Sequence, residues 1–213
     1  MNRRTFTLGI GAIGGLMAIP APIFALAQSN AGSEEGLWKS ELSDFEVVWE
    51  ADSFGSPSTY SSDENRSERV SLRIATTAPK PHRVCAVWIT ISDDFAQSDE
   101  KLRDFVENDP DLSYGLTGTD NQRVKVVEKN GAFGVLYRPV FEGRTDTWSY
   151  NEYSANADEL GRGSEIWLSG TRTEWNREEV EAALETLQIN GESLLRAIEL
   201  DELCDLIDDL EVS

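Results

Sequence analysis

The chain has one histidine and two cysteines in 213 residues, and its 19 basic residues face 39 acidic ones. Each shortage excludes something. A single histidine, His82, cannot build a histidine-rich metal centre, and a Ser-His-Asp system would need partners converging on it from elsewhere. The sequence contains no C-x-x-C, no H-E-x-x-H and no phosphate-loop pattern. Thiol oxidoreductase, zincin and nucleotide-hydrolase readings therefore lack their signatures, and no cofactor is expected. The formal charge of −20 repels nucleic acid and anionic lipid. Such a field attracts cations or a basic protein, and it also keeps an exported protein soluble.

Charge is absent altogether between Arg4 and Glu34. That stretch is apolar and glycine-containing, passes Pro20 and Pro22, and reaches Ala25-Leu26-Ala27. A basic start, an apolar middle and an A-x-A-like end describe a cleavable export signal over residues 1–27. The pair Arg3-Arg4 followed by Thr5 and Phe6 resembles the twin-arginine signal, so the twin-arginine export machinery is the expected partner. No cysteine follows the apolar stretch to take a lipid, and the product is expected to be soluble, off the membrane, and periplasmic or extracellular. Residues 28–43 read as a flexible N-terminal segment and 44–213 as a single domain.

The two cysteines, Cys85 and Cys204, leave two alternatives open. In an exported protein an even count invites a disulfide, worth about 4–5 kcal/mol for so long a loop. A protein that folds in a reducing cytosol before export would instead bury both as free thiols.

Alternating patterns give strands at Phe45–Trp49, Val70–Ile74, Val84–Ile91, Thr145–Tyr153 and Glu165–Ser169. Asn130-Gly131 between two apolar-patterned runs, 123–129 and 132–141, predicts a two-residue hairpin, because both turn positions need positive φ. Residues 51–69 read as a solvated loop. Ser98 caps a short amphipathic helix ending near Pro110. Asn176 and Glu179 open a second helix, with Val180, Ala183, Leu184 and Leu187 on one face, stopped by Asn190-Gly191. A third helix runs about Leu194 to Leu210, its apolar stripe formed by Leu200, Leu203, Cys204, Ile207 and Leu210. Strands first and helices late predict an α+β fold: a mainly antiparallel sheet with helices packed on one face and a C-terminal helix pair. The order of elements resembles the layout of PsbP-like sheet-and-helix domains, a likeness that brings no motif, activity or residue with it.

Two constellations could carry chemistry. Trp148, Tyr150 and Tyr153 lie among Asp146, Asn151 and Glu152, a mixture able to stack a sugar ring and bond its hydroxyls; shared strand faces also make them core material. Asp109, Asp111 and Asp120 have calcium-loop spacing, although Tyr114 stands where that loop needs glycine. The expected function is binding of a small ligand or a protein, without catalysis. The alternative is a carboxylate-based hydrolase of cell-envelope glycans, which would need two facing carboxylates, one in an apolar pocket. Residues 174–213 carry 13 acids and 2 bases, and make the C-terminal helices the other candidate docking surface.

Replacing the arginine pair, Arg3→Lys with Arg4→Lys, is expected to hold the precursor in the cytoplasm. N-terminal sequencing of exported wild-type protein should begin at Gln28. Cell fractionation that finds the double variant outside, processed normally, would refute the twin-arginine route.

Overall fold

The computed structural model describes residues 36–74, 85–108, 121–139, 147–172 and 176–210. Two antiparallel sheets and three α-helices make up the described chain, an α+β architecture. A hairpin of β1 (Leu37–Lys39) and β2 (Glu46–Val48) is followed by β3 (Ser58–Ser62), β4 (Ser67–Arg73) and β5 (Cys85–Ser92). Helix α1 (Asp99–Asn108) leads to β6 (Asn121–Lys129), β7 (Ala132–Pro139), β8 (Thr147–Ser154) and β9 (Gly163–Thr171). Helix α2 (Arg177–Glu185), the short strands β10 (Gln188–Ile189) and β11 (Glu192–Ser193), and α3 (Leu200–Asp208) complete it. Among the described residues no helix is long and apolar enough to cross a membrane.

The large sheet has the order β3-β4-β5-β9-β8-β7-β6. It consists of two meanders, β3-β4-β5 and β6-β7-β8-β9, zipped along β5 and β9. The chain leaves β5 in the middle and re-enters at the β6 edge, so α1 must cross one face of the sheet. After β9, in the middle again, it crosses the other face as α2, β10, β11 and α3.

The side-chain pattern follows this path. Alternate residues Val87, Ile89 and Ile91 of β5, Trp148 and Tyr150 of β8, and Ile166 and Leu168 of β9 join Val180, Leu184, Leu203 and Ile207 in one buried cluster. Trp38, Phe45, Val47 and Trp49 seal the same inner face from the small sheet, whose order is β1-β2-β10-β11. On the outer face Phe133, Val135, Tyr137 and Tyr153 pack with Phe95 and with Leu102 and Val106 of α1. The helices thus sit on both faces, not on one as the sequence suggested. The reason is the edge-to-centre crossover, which pattern alone does not reveal.

Four local readings are also revised. β1 falls within residues 28–43, read as flexible, yet Trp38 is buried. β3 occupies part of the presumed loop 51–69; its sequence Ser-Thr-Tyr-Ser-Ser is almost wholly exposed and offers no apolar alternation. Asn190-Gly191 has positive φ at both residues, 52° and 77°, and turns the β10–β11 hairpin, while α2 already ends at Glu185. The third helix begins at Leu200, because Arg196 and Ala197 donate their backbone N–H groups to the Glu152 carboxylate instead of to a preceding turn.

One buried cation ties the layers together. The fully buried Arg162 donates Nε to Asp158 Oδ2 (2.7 Å), and Nη1 to Glu68 Oε2 (2.6 Å) and the Arg66 carbonyl (2.9 Å). Its Nη2 donates to Ser40 Oγ (3.0 Å) and Ser43 Oγ (2.9 Å). A guanidinium has five N–H donors, so none is left over. Ser40 Oγ and the Glu41 N–H also donate to Glu68, at 2.6 and 2.7 Å. The β1–β2 turn, β4 and the approach to β9 therefore meet at one charge.

Arg162→Met would leave Glu68 and Asp158 desolvated without their counter-charge. We expect a loss of about 3–5 kcal/mol, read from the denaturant midpoint. A change below about 1 kcal/mol would mean that the layers hold without this junction.

Candidate functional site

Register places the outer-face residues in rows across the large sheet. One row runs Tyr60, Arg69, Thr90, Glu165, Tyr153 and Phe133, on β3, β4, β5, β9, β8 and β7. The next runs Ser71, Trp88, Trp167, Asn151 and Val135, from β4 to β7. Helix α1 covers the Phe133–Tyr153 side, where Phe95 and Phe105 lie against the Tyr153 ring at 5.7 and 5.2 Å between centroids. Toward β5 and β4 the face becomes polar and partly open: Arg69, Ser71, Trp88, Thr90 and Trp167 are all half-buried.

Trp88 and Trp167 are direct cross-strand neighbours, with ring centroids 4.4 Å apart and planes 26° from parallel. Adjacent strands lie about 4.8 Å apart, so rings stacked at that distance stand upright on the sheet rather than flat. Each covers one face of the other. The edge of Trp167 is held from β8, where its Nε1 donates to Ser149 Oγ at 2.6 Å and Ser149 in turn donates to the Leu168 carbonyl. On β4 the register partner of Trp88 is the small residue Ser71.

Beside the indoles lies a buried polar cluster. The Tyr153 hydroxyl and Asn151 Nδ2 both donate to Glu165 Oε1 at 2.9 Å, and Asn151 Nδ2 also approaches the Tyr153 hydroxyl at 3.2 Å. Asn151 is 1% exposed, yet its Oδ1 has no hydrogen-bond partner, and neither has the buried Nε of Arg69. An unmet buried acceptor costs about 1–3 kcal/mol, which a bound donor would recover. Burial raises the Glu165 carboxyl above its ordinary value, and the bonds from Tyr153 and Asn151 and the charge of Arg69 only partly offset it. Burial likewise pushes the neighbouring Tyr137 phenol up to about 12.

A second buried carboxyl, Glu152, belongs to the opposite face. It accepts from the Tyr150 hydroxyl at 2.8 Å and from the N–H groups of Arg196 (2.8 Å) and Ala197 (3.0 Å). Gly134 makes room for this: a Cβ there would stand 2.2 Å from the Tyr150 hydroxyl oxygen. Burial is again the main reason that the Glu152 carboxyl is raised. Glu152 anchors the chain leading into α3 and is closed to any ligand of the outer face. On that face the strand carboxylate in the same row as Glu165 is Glu128, three strands away, where Arg103 clamps it at 2.5 and 2.8 Å. Three strand spacings amount to about 14 Å. Paired glycosidase carboxylates stand about 5–9.5 Å apart.

The residues singled out in the sequence are distributed as follows. Trp148 and Tyr150 are core residues of the inner face, and Tyr153 is buried on the outer face as the Glu165 partner. Cys85 and Cys204 are free, buried thiols; burial is the chief cause that raises both, Cys204 to about 12. Asp109, Asp111 and Asp120 lie outside the described residues, as does His82. Among the described residues no group of three or more His, Cys, Asp or Glu is placed to hold a metal ion. Asp44, Glu46, Asp158 and Glu159 line an open acidic hollow beside the small sheet. Asp158 is engaged there already: desolvation would raise its carboxyl, but the Arg162 bonds outweigh that and hold it below its ordinary range.

Trp88, Trp167 and Glu165 were not recognised in sequence as a site. The available signal was Trp88 on the second, less apolar face of the Val84–Ile91 strand. What sequence could not supply was the pairing of β5 with β9 across some 70 intervening residues.

No family model matches this chain, and no curated protein or solved structure does.

The raised carboxyls give a directional pH prediction. Glu152 and Glu165 favour the folded state fully below their unfolded value of about 4.5, and that contribution is lost as pH rises through their higher folded values. Asp158 acts oppositely: its contribution is present above about 3.8 and is lost as pH falls through its lower folded value. Denaturant midpoints from pH 4 to 8, as a test range on the order of the carboxyl titrations, should fall less steeply for Glu165→Gln than for wild type. Parallel curves would show that Glu165 carries no penalty for ionising in the folded protein.

Proposed function

We propose that the chain is an exported, soluble, non-enzymatic binding domain, carried to the periplasm or the cell exterior by the twin-arginine machinery, that holds a ring-bearing polar small molecule on the outer face of its large sheet. The observation that carries this reading is the half-buried Trp88–Trp167 pair beside the unpartnered Asn151 Oδ1. A cross-strand indole pair adds about 0.5–1.5 kcal/mol to a sheet, and stability alone would account for it if it were sealed. Here it is left partly open among Ser71, Thr90, Arg69 and Glu165, which is the composition of a ligand bed: a few polar groups around an aromatic surface. Sugar rings and aromatic rings both match an indole face, and hydroxyls match the half-buried Ser71 and Thr90 beside it.

The glycan-hydrolase alternative receives less support. Its paired carboxylates have no counterpart around Glu165 among the described residues, since Glu152 faces the other way and Glu128 is remote and engaged. A basic protein or cations docking on the acidic C-terminal helices remain compatible with the charge, but no feature of those helices selects them.

Ligand-observed NMR with glucose, glucuronate, benzyl alcohol and benzoate as probes tests the site. At least one should bind saturably and be recovered chemically unchanged. Trp88→Ala should weaken it by at least about tenfold, equivalent to about 1.4 kcal/mol. Binding that ignores Trp88→Ala and Trp167→Ala in folded variants, or no binding of any probe, would overturn the assignment.

A further inference from the structure

Resting on the ligand bed just described, we infer that its ligand is a monoanion: a ring compound bearing a carboxylate, with the ring against the half-buried indole of Trp88 and the carboxylate between Arg69 and Arg73. The starting point is charge accounting. With 39 acidic against 19 basic residues, arginines here rarely lack a partner. Arg66 is bound to Asp93, Arg103 to Glu128, Arg172 to Asp208 and Arg177 to Asp205. Arg69 and Arg73 depart from this. Arg69 lies over the Tyr60 ring at 5.4 Å and feels Glu165 electrostatically, but among the described residues it has no hydrogen-bond acceptor, and its Nε is buried without one. Arg73 is exposed, and no described group bonds or pairs with its side chain.

The two share a strand face, because β4 alternates and residues 69, 71 and 73 point the same way. Their Cα atoms are separated by about 13 Å, and Ser71 lies midway. Ser71 is the register partner of Trp88, whose indole is half-buried. A half-buried indole, the serine paired with it and an unmatched arginine two residues to either side on the same strand face are what the site offers. A flat ring fits against the indole, and two long side chains can close on an acidic substituent over the serine. Arginine binds carboxylates through paired N–H donors, and the terminal nitrogens of Arg69, whose Nε is already withdrawn from water, make such a bond stronger in these less polar surroundings.

The sign and size of the ligand charge follow from the surroundings. Glu165 lies two strands away in the Arg69 row, and the whole molecule is strongly negative. A doubly charged phosphate ester would be repelled about twice as strongly as a carboxylate at equal distance. Its attraction to the arginines doubles as well, so the choice rests on local balance: the two guanidiniums less the one carboxylate in the Arg69 row leave one net positive charge, which a single carboxylate neutralises. Two sources supply such a ring, an acidic sugar or an aromatic acid, and both present the same chemistry of a ring for the indole and a carboxylate for the arginines.

Calorimetric titration of the mature chain separates these points with matched pairs: glucuronate against glucose, and benzoate against benzyl alcohol. The acid of at least one pair should bind about tenfold or more tightly than its neutral partner, a preference that weakens with added salt. Arg69→Gln with Arg73→Gln should reduce that ratio to within about twofold, and Arg69→Lys with Arg73→Lys should restore part of it, circular dichroism verifying the fold of each variant. The pair that shows the preference identifies the source of the ring. Neutral members binding as well as the acids, in a manner dependent on Trp88, would sink the monoanion inference while leaving the ring site standing. So would a preference that survives both glutamines. No binding of any probe would remove the ring site and this inference together.

Discussion

A buried positive charge must be matched or the fold fails, and Arg162 is matched completely. Its guanidinium is withdrawn from water and meets two carboxylates, one carbonyl and two hydroxyls. Those partners come from the β1–β2 turn, from β4 and from the turn that precedes β9. Burying an ion pair gains little over apolar packing, because desolvation cancels much of the attraction. What it contributes is position. A hydrophobic contact between the small sheet and the large one could slide; five directed bonds to one planar group cannot.

That fixed junction lets the large sheet divide its labour by parity. On β8 and β9 one residue in two faces the core and the next faces the outer surface. Glu152 and Glu165 show the result. Both are buried and both have a raised carboxyl, yet Glu152 is satisfied by two backbone N–H groups and a phenol on the inner face, and serves the chain that enters α3. Glu165 stands among polar residues on the outer face, beside two indoles. Similar titration behaviour therefore has different meanings on the two faces, and geometry separates them.

Much of the architecture was legible where the local signal coincided with the tertiary outcome. The 130–131 hairpin and the apolar stripe of α3 followed directly from turn chemistry and helical period. Asn190-Gly191 carries the same dipeptide as Asn130-Gly131, but a helix precedes it and a helix stop is the natural reading; only the pairing of β10 with β11 reveals a hairpin. β3 was invisible because an exposed edge strand of serine, threonine and tyrosine needs no buried face. The α1 crossover escaped because the side of a sheet is a property of chain path, not of composition. The site was illegible for the same reason: Trp88 and Trp167 become neighbours only once β5 and β9 are zipped, and the aromatics that looked most suggestive, Trp148 and Tyr150, are core.

The pairing of β2 with β10 has a consequence in time. Val47 and Val48 are synthesised about 140 residues ahead of their partners Ile189 and Gln188. The small sheet that caps the inner face cannot assemble before residues 188–189 are made, and until it does Phe45, Val47 and Trp49 have no lid to join. The β5–β9 seam imposes a similar, shorter delay. Folding of this domain is thus one closure that waits for residues 188–189 rather than a succession of finished pieces, and the chain must keep its apolar strands apart until then.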